Sequence, residues 1–101
     1  MTQIARTILN QLGGHRFTVM TGAKDFLADG PVLIFSIPKA KNGINKVRIT
    51  LEPSDTYKLE FMRMRRQGGI PVVDTIAKTD DIYCDVLQEV FTRYTGLEVS
   101  L

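Results

Sequence analysis

The side chains with the widest chemical repertoire are four aspartates, Asp74, Asp80, Asp81 and Asp85, which fall close together late in the chain. Carboxylates at that density can hold oxygen-ligated metal ions that activate water and steady a leaving group in phosphodiester cleavage. They also suit a plainer task, capping a helix and placing negative charge in its first turn against the helix dipole. The stretch has neither a calcium-loop pattern nor a histidine partner, so capping is favoured and no metal is expected. Cys84, placed by its spacing in the first turn of the last helix, and His15, at the junction "GGHRF", are the other reactive groups. A thiolate with a histidine base is a known nucleophilic pair, but each residue also reads simply, as a stripe-margin thiol and a polar turn residue. "GGH" and "QGGI" lack the glycine spacing that brings backbone N–H groups to a phosphate. The sequence therefore points away from catalysis, with no catalytic residue, cofactor or metal expected and a metal-dependent nuclease as the weakest alternative.

What remains is a basic zone. The stretch "FMRMRRQGG" sets Arg63, Arg65 and Arg66 ahead of Gly68 and Gly69, while Lys39, Lys41 and Lys46 flank Asn42 and Gly43. Both groups fall at expected loops. If the loops share one end of a sheet, they form a positive rim able to accept phosphates or acidic side chains, with Tyr57 or Phe61 as base-stacking surfaces. Basic residues at strand edges also guard against aggregation, and an edge rich in arginine and methionine suits a protein contact.

The overall charge of +2 does not by itself argue for nucleic acid, but its distribution is uneven. Residues 38–66 carry eight cationic side chains against three carboxylates, whereas residues 67–101 carry two against six. Such polarity permits head-to-tail self-association. No stretch approaches the roughly 20 apolar residues of a membrane helix, no leader pattern opens the chain, and the single cysteine cannot form an internal disulfide. A soluble, cytoplasmic protein is expected.

The elements that must position these groups follow from periodicity. Ile4, Ala5, Ile8, Leu9 and Leu12 predict an amphipathic helix capped by Thr2 and stopped at Gly13-Gly14. Alternation predicts a short strand in "HRFTVMTG", a connection in "AKDFLADG", and a strand covered on both faces or central in the sheet in "PVLIFSIP". "KVRITLEP" and "TYKLEFMRMRR" predict a hairpin, with a bulge near Phe61 or an edge that leaves the sheet, because Met62 and Met64 oppose Tyr57, Leu59 and Phe61. "GGIPVVDTIA" is the last strand, with Pro71 near its start or on an edge. From Asp81 onward, Ile82, Tyr83, Val86, Leu87, Val90, Phe91 and Tyr94 predict a helix ended by Gly96. The expected fold is α+β: an N-terminal helix, an antiparallel sheet of four or five short strands, and a C-terminal helix packed on it, forming one domain over 1–101. This order resembles that of double-stranded-RNA-binding domains, but their basic last helix is replaced here by an acidic one.

The stretches "ILNQLGGHRFTVMTGAKDF", "KNGINKVRITLEPSDTYKLEF" and "YCDVLQEVFTRYTGLEVSL" resemble a family of small uncharacterised proteins carried by bacteriophages, prophages and conjugative elements. The resemblance implies a bacterial host cytoplasm and action by binding host or phage machinery, including inhibition of defence systems. It assigns no site residues. The functional expectation is a non-enzymatic protein that binds and occludes a macromolecular partner, a host or phage protein ahead of nucleic acid, through Lys39, Lys41, Lys46, Arg63, Arg65 and Arg66. No membrane partner is expected, and a homo-oligomer is permitted.

Overall fold

In the computed structural model, which describes residues 1–99, the chain begins with helix α1 (Gln3–Leu12). Thr2 caps it, its side chain accepting from the Ala5 amide at 3.1 Å, and Ala5, Ile8 and Leu12 are buried. A second helix, α2 (Gly14–Thr21), follows where alternation predicts a strand. Only Phe17 and Thr21 of that segment turn inward, four residues apart, while Val19 stays 66% exposed. A strand would have buried Val19 with them. The helix is reinforced by the Thr21 hydroxyl, which donates to the Phe17 carbonyl at 2.7 Å.

Five strands then form one sheet whose spatial order is the chain order: β1 (Lys24–Asp29), β2 (Val32–Ser36), β3 (Lys46–Leu51), β4 (Tyr57–Gln67) and β5 (Ile70–Ile82). All neighbours are antiparallel. The segment read as a connection is β1. Its alternation is hidden by a register break between Lys24 and Leu27, where Asp25 takes φ 57°. Helix α3 (Leu87–Thr95) closes the fold after a 3-10 turn at Cys84–Val86. It starts later than the apolar stripe predicts, because β5 continues through Asp80, Asp81 and Ile82, and Tyr83 is 65% exposed. Gly96 is its C-cap as expected. The arrangement is α+β, with two N-terminal helices rather than one. Ser100 and Leu101, which end the third family-like stretch, lie outside the described residues.

The helices cover one face of the sheet. Leu33, Phe35, Val47, Ile49, Leu59 and Phe61 meet α1, α2 and α3 in a single core. Phe91 lies at its centre, with ring centroids 5.1 Å from Phe17, 6.2 Å from Phe35 and 6.5 Å from Phe61, and Phe17 meets Phe35 edge-on at 5.5 Å. Such aromatic contacts add about 0.5–1.5 kcal/mol each beyond area burial. Of the two alternatives for "PVLIFSIP", the structure takes the second: β2 is an interior strand paired on both sides, covered by helices on one face, with Val32, Ile34 and Ser36 half-buried on the open side.

Register breaks fall on the two outer strands: β1 at Asp25, β5 between Phe61 and Met62 of its partner, and β5 again near Asp81, which takes φ 56°. The second of these and the departure of β4 from the sheet answer to the two alternatives predicted near Phe61. Bulges twist an edge away from further pairing. With Pro71 lacking an N–H on the same outer strand, neither edge is a flat template for another chain.

Tyr57 joins the layers, its buried ring on β4 and its hydroxyl hydrogen-bonded to Gln11 Oε1 on α1. Desolvation raises its pKa above the ordinary 10.0, and the Cys84 thiolate adds a smaller push in the same direction. The folded state thus retains a proton that the unfolded chain releases. This contribution is complete below about pH 10 and is lost as pH rises through the folded value. Tyr57→Phe is expected to cost about 0.5–1.5 kcal/mol at neutral pH. It should also flatten the alkaline fall in stability measured by urea unfolding, and parallel curves for the two proteins would contradict this assignment.

Candidate nucleic-acid and acidic-surface interface

The loop between β2 and β3 and the turn between β4 and β5 lie at the same end of the sheet, because Ser36 pairs with Lys46 and Lys46 with Met62. Past Met62 only β5 accompanies β4. Arg63 pairs with Asp74, Met64 with Val73, Arg65 with Val72, Arg66 with Pro71 and Gln67 with Ile70. These pairs make a two-stranded ribbon about 17 Å long at 3.4 Å per residue. Gly68 and Gly69, at φ 59° and 83°, close it in a two-residue turn. Two successive positive φ values match the right-handed twist of the flanking strands and suit glycine.

The root of the ribbon is held by Asn45. Its backbone N–H donates to the Met62 carbonyl at 3.0 Å, its Nδ2 donates to the Met64 carbonyl at 2.8 Å, and its Oδ1 accepts from the Met64 amide at 2.7 Å. The side chain thus continues the β3 ladder by one more pair. Arg63 then lies over the Asn42–Gly43 turn, its Cδ 3.2 Å from where a Cβ on Gly43 would stand, and Gly43 itself sits at φ 81°. A side chain there would displace the arginine. On the other side of this loop, Lys41 Cβ lies within van der Waals reach of Gly96, the cap of α3.

The two basic groups are thus one end of the molecule. Lys39, Lys41, Arg63, Arg65 and Arg66 are exposed and Lys46 is half-buried. Strand parity divides the ribbon's cations: Arg63 and Arg65 continue the helix-covered side and Arg66 the open side. Arg65 Nε donates to Asp74 Oδ2 at 3.1 Å, and its Nη1 to Gln67 Oε1 at 3.4 Å. Among the described residues, the other five cations of this end form no salt bridge. Elsewhere on the sheet the cations are better matched. On the open face Arg48 pairs with Glu60 at 3.6 Å and Lys58 approaches Glu52 at 4.0 Å, around a shallow depression of about 420 Å³ floored by Val32 and Ile34. Alternation alone does not reveal this depression, since an apolar strand central in the sheet and one covered on both faces share the same pattern.

The ribbon is also unusually apolar for an exposed segment. Met64, Ile70 and Val73 are 41%, 66% and 51% exposed, and Ile76, at the bulge just below the ribbon, is 37% exposed. Met64 and Val73 oppose each other across the strands, and cross-strand apolar pairs of this kind stabilise a ribbon that has no third strand.

The proposed stacking residues are not available. Tyr57 is 3% and Phe61 0% exposed, because their parity points them under the helices, where Phe61 stacks on Tyr94 at 4.8 Å between ring centroids. Nor do the four aspartates converge. Asp74 lies on the ribbon, six strand positions and about 20 Å along β5 from Asp80, and among the described residues no three potential metal-ligating side chains cluster. Asp80 and Asp81 are strand residues rather than helix caps, since β5 outruns the predicted boundary. Cys84 is exposed in the 3-10 turn, His15 is exposed in the first turn of α2, and no hydrogen bond joins them among the described residues. No described helix is long and apolar enough to cross a membrane.

Compared with known proteins, the chain matches no family model, no curated protein and no solved structure.

Removing the Asn45 clamp should free the ribbon without unfolding the sheet. In Asn45→Ala, amide hydrogen exchange at Met64 and along 65–67 is expected to quicken by about tenfold or more, as two hydrogen bonds worth roughly 1 kcal/mol each are lost. Ile49 and Leu59 should keep their protection. Unchanged exchange at Met64 would show that the clamp does not order the ribbon.

Proposed function

We propose that this chain is a non-enzymatic binding protein that docks its basic end on an anionic surface of a macromolecular partner and thereby occludes it. The observation that carries this reading is the convergence of Lys39, Lys41, Lys46, Arg63 and Arg66, none of them paired with a carboxylate among the described residues and Arg66 donating only to the Gly69 carbonyl at 3.3 Å, beside an ordered, exposed ribbon. Cations without partners keep their charge available for contact, whereas paired ones are largely neutralised at short range. The ribbon adds reach, so that a small body can cover a site set back from its own surface. Against turnover stand the separation of Asp74 from Asp80 and Asp81 and the absence of a bond between Cys84 and His15. The mobile-element setting implied by the sequence resemblance would supply host machinery as the target, with occlusion a sufficient mode of inhibition.

Charge also has a kinetic role here. Acidic residues gather at the far end of the sheet, so the molecule carries a long-range dipole that orients the ribbon toward negative potential before contact. Retention on immobilised heparin, a polyanion of no fixed structure, tests the reading. The parent should elute at distinctly higher salt than the R63A/R65A/R66A triple variant. Equal elution of the two, or passage of the parent without retention, would remove the ribbon from the binding surface.

A further inference from the structure

We infer that the β4–β5 ribbon enters the major groove of duplex DNA, with one face turned to the base edges and the neighbouring lysines on the phosphates. This rests on the proposed anionic-surface reading and assigns that surface its partner. The dimensions of the ribbon match those of the groove. A two-stranded ribbon fits the major groove, and residues two apart on one strand face are separated by about 6.8 Å, close to two base-pair steps of about 3.4 Å. A ribbon lying along the groove therefore brings successive same-face side chains to successive reading positions.

Register puts Arg63, Arg65 and Gln67 of β4 on one face with Asp74, Val72 and Ile70 of β5 opposite them. Arginine addresses guanine O6 and N7, glutamine adenine N6 and N7, a carboxylate the cytosine amino group, and an apolar side chain the thymine methyl. Arg63, Val72 and Ile70 stand ready on that face to meet guanine and thymine edges, and Asp74 and Gln67 serve there to set Arg65 for guanine. Arg65 is held by Asp74 and Gln67 through Nε and Nη1, which fixes the guanidinium plane before contact and reduces the ordering cost of binding. Met64 and Val73 lie on the reverse face, where they tie the ribbon together.

The ribbon suits a duplex rather than a single strand. Unpaired bases are gripped by aromatic platforms, and the ribbon and its flanking loop carry no aromatic residue, while Tyr57 and Phe61 are buried. The exposed Tyr83 follows β5 at the opposite end. A-form RNA offers only a deep, narrow major groove that side chains do not read. B-form DNA is thus the duplex whose groove the ribbon matches. An acidic protein surface would use the same cations, but it would not require a repeat of base-reading side chains on one ribbon face.

Fluorescence anisotropy with a short mixed-sequence DNA duplex, its single strand and an RNA duplex of the same sequence tests the inference. The DNA duplex should bind most tightly, and a fourfold rise in salt should weaken it by roughly a hundredfold, as expected for about four phosphate contacts. R63A and R65A should each cost about five- to a hundredfold. R65K is the sharper variant, since it keeps the charge but loses the planar fork. It should retain its heparin elution while losing duplex affinity. Equal binding of single strand or RNA duplex, or full duplex affinity in R65K, would overturn groove entry. Heparin retention without DNA binding would overturn it in favour of an acidic protein partner while leaving the occlusion reading intact. Loss of both would end both readings.

Discussion

An antiparallel sheet whose spatial order is its chain order leaves each turn no choice of end. The β1–β2 turn, the β3–β4 turn and the exit of β5 must share one end, and the β2–β3 loop and the β4–β5 turn the other. Charge placed in alternate turns is therefore sorted in space. Asp29, Glu52, Asp55, Asp80, Asp81 and Asp85 gather at the first end, and the lysines and arginines of the candidate interface at the second. An uneven charge distribution along the chain becomes a dipole along the strands.

The rest of the structure makes that polarity usable. A core joined by Phe17, Phe35, Phe61 and Phe91 holds three helices on one face of the sheet. Binding residues are thereby left to the strand ends and the open face. On the open face Arg48 and Lys58 are engaged by carboxylates, and on the outer strands the bulges at Asp25, Ile76 and Asp81 discourage strand addition. The basic end is the surface that these devices leave exposed, and Asn45 decides where the ribbon departs from the body. A ribbon of two strands is marginal by itself, so its root, its cross-strand Met64–Val73 pair and its Gly68-Gly69 turn together maintain its shape.

Much of this was legible in the residues. Three-and-four spacing revealed α1, Gly96 the end of α3, and the position of Met62 and Met64 opposite Tyr57, Leu59 and Phe61 the irregularity near Phe61, where β5 bulges and the β3 ladder soon ends. The failures have physical causes. "HRFTVMTG" alternates, yet Phe17 and Thr21 are also four apart, and burial follows the helical pairing, with Val19 left exposed. β1 was hidden by Asp25, whose positive φ breaks the period of two. Ile82 and Tyr83 fit a helical stripe and a strand end equally well, so the helix boundary moved. Asn45 carries no sequence signal of its clamp, because its partners lie nineteen residues away. The six basic residues were visible as two loops, but their union required the strand order.

The central claim is that a single end of the molecule makes contact. Titrating isotopically labelled protein with a short DNA duplex, and following each backbone amide by nuclear magnetic resonance, addresses it residue by residue. The account predicts shifts confined to 39–46 and 63–74, with Asp55, Asp80, Asp81 and Asp85 unmoved. Shifts centred on the acidic end or the open face, or no shifts at all, would contradict it.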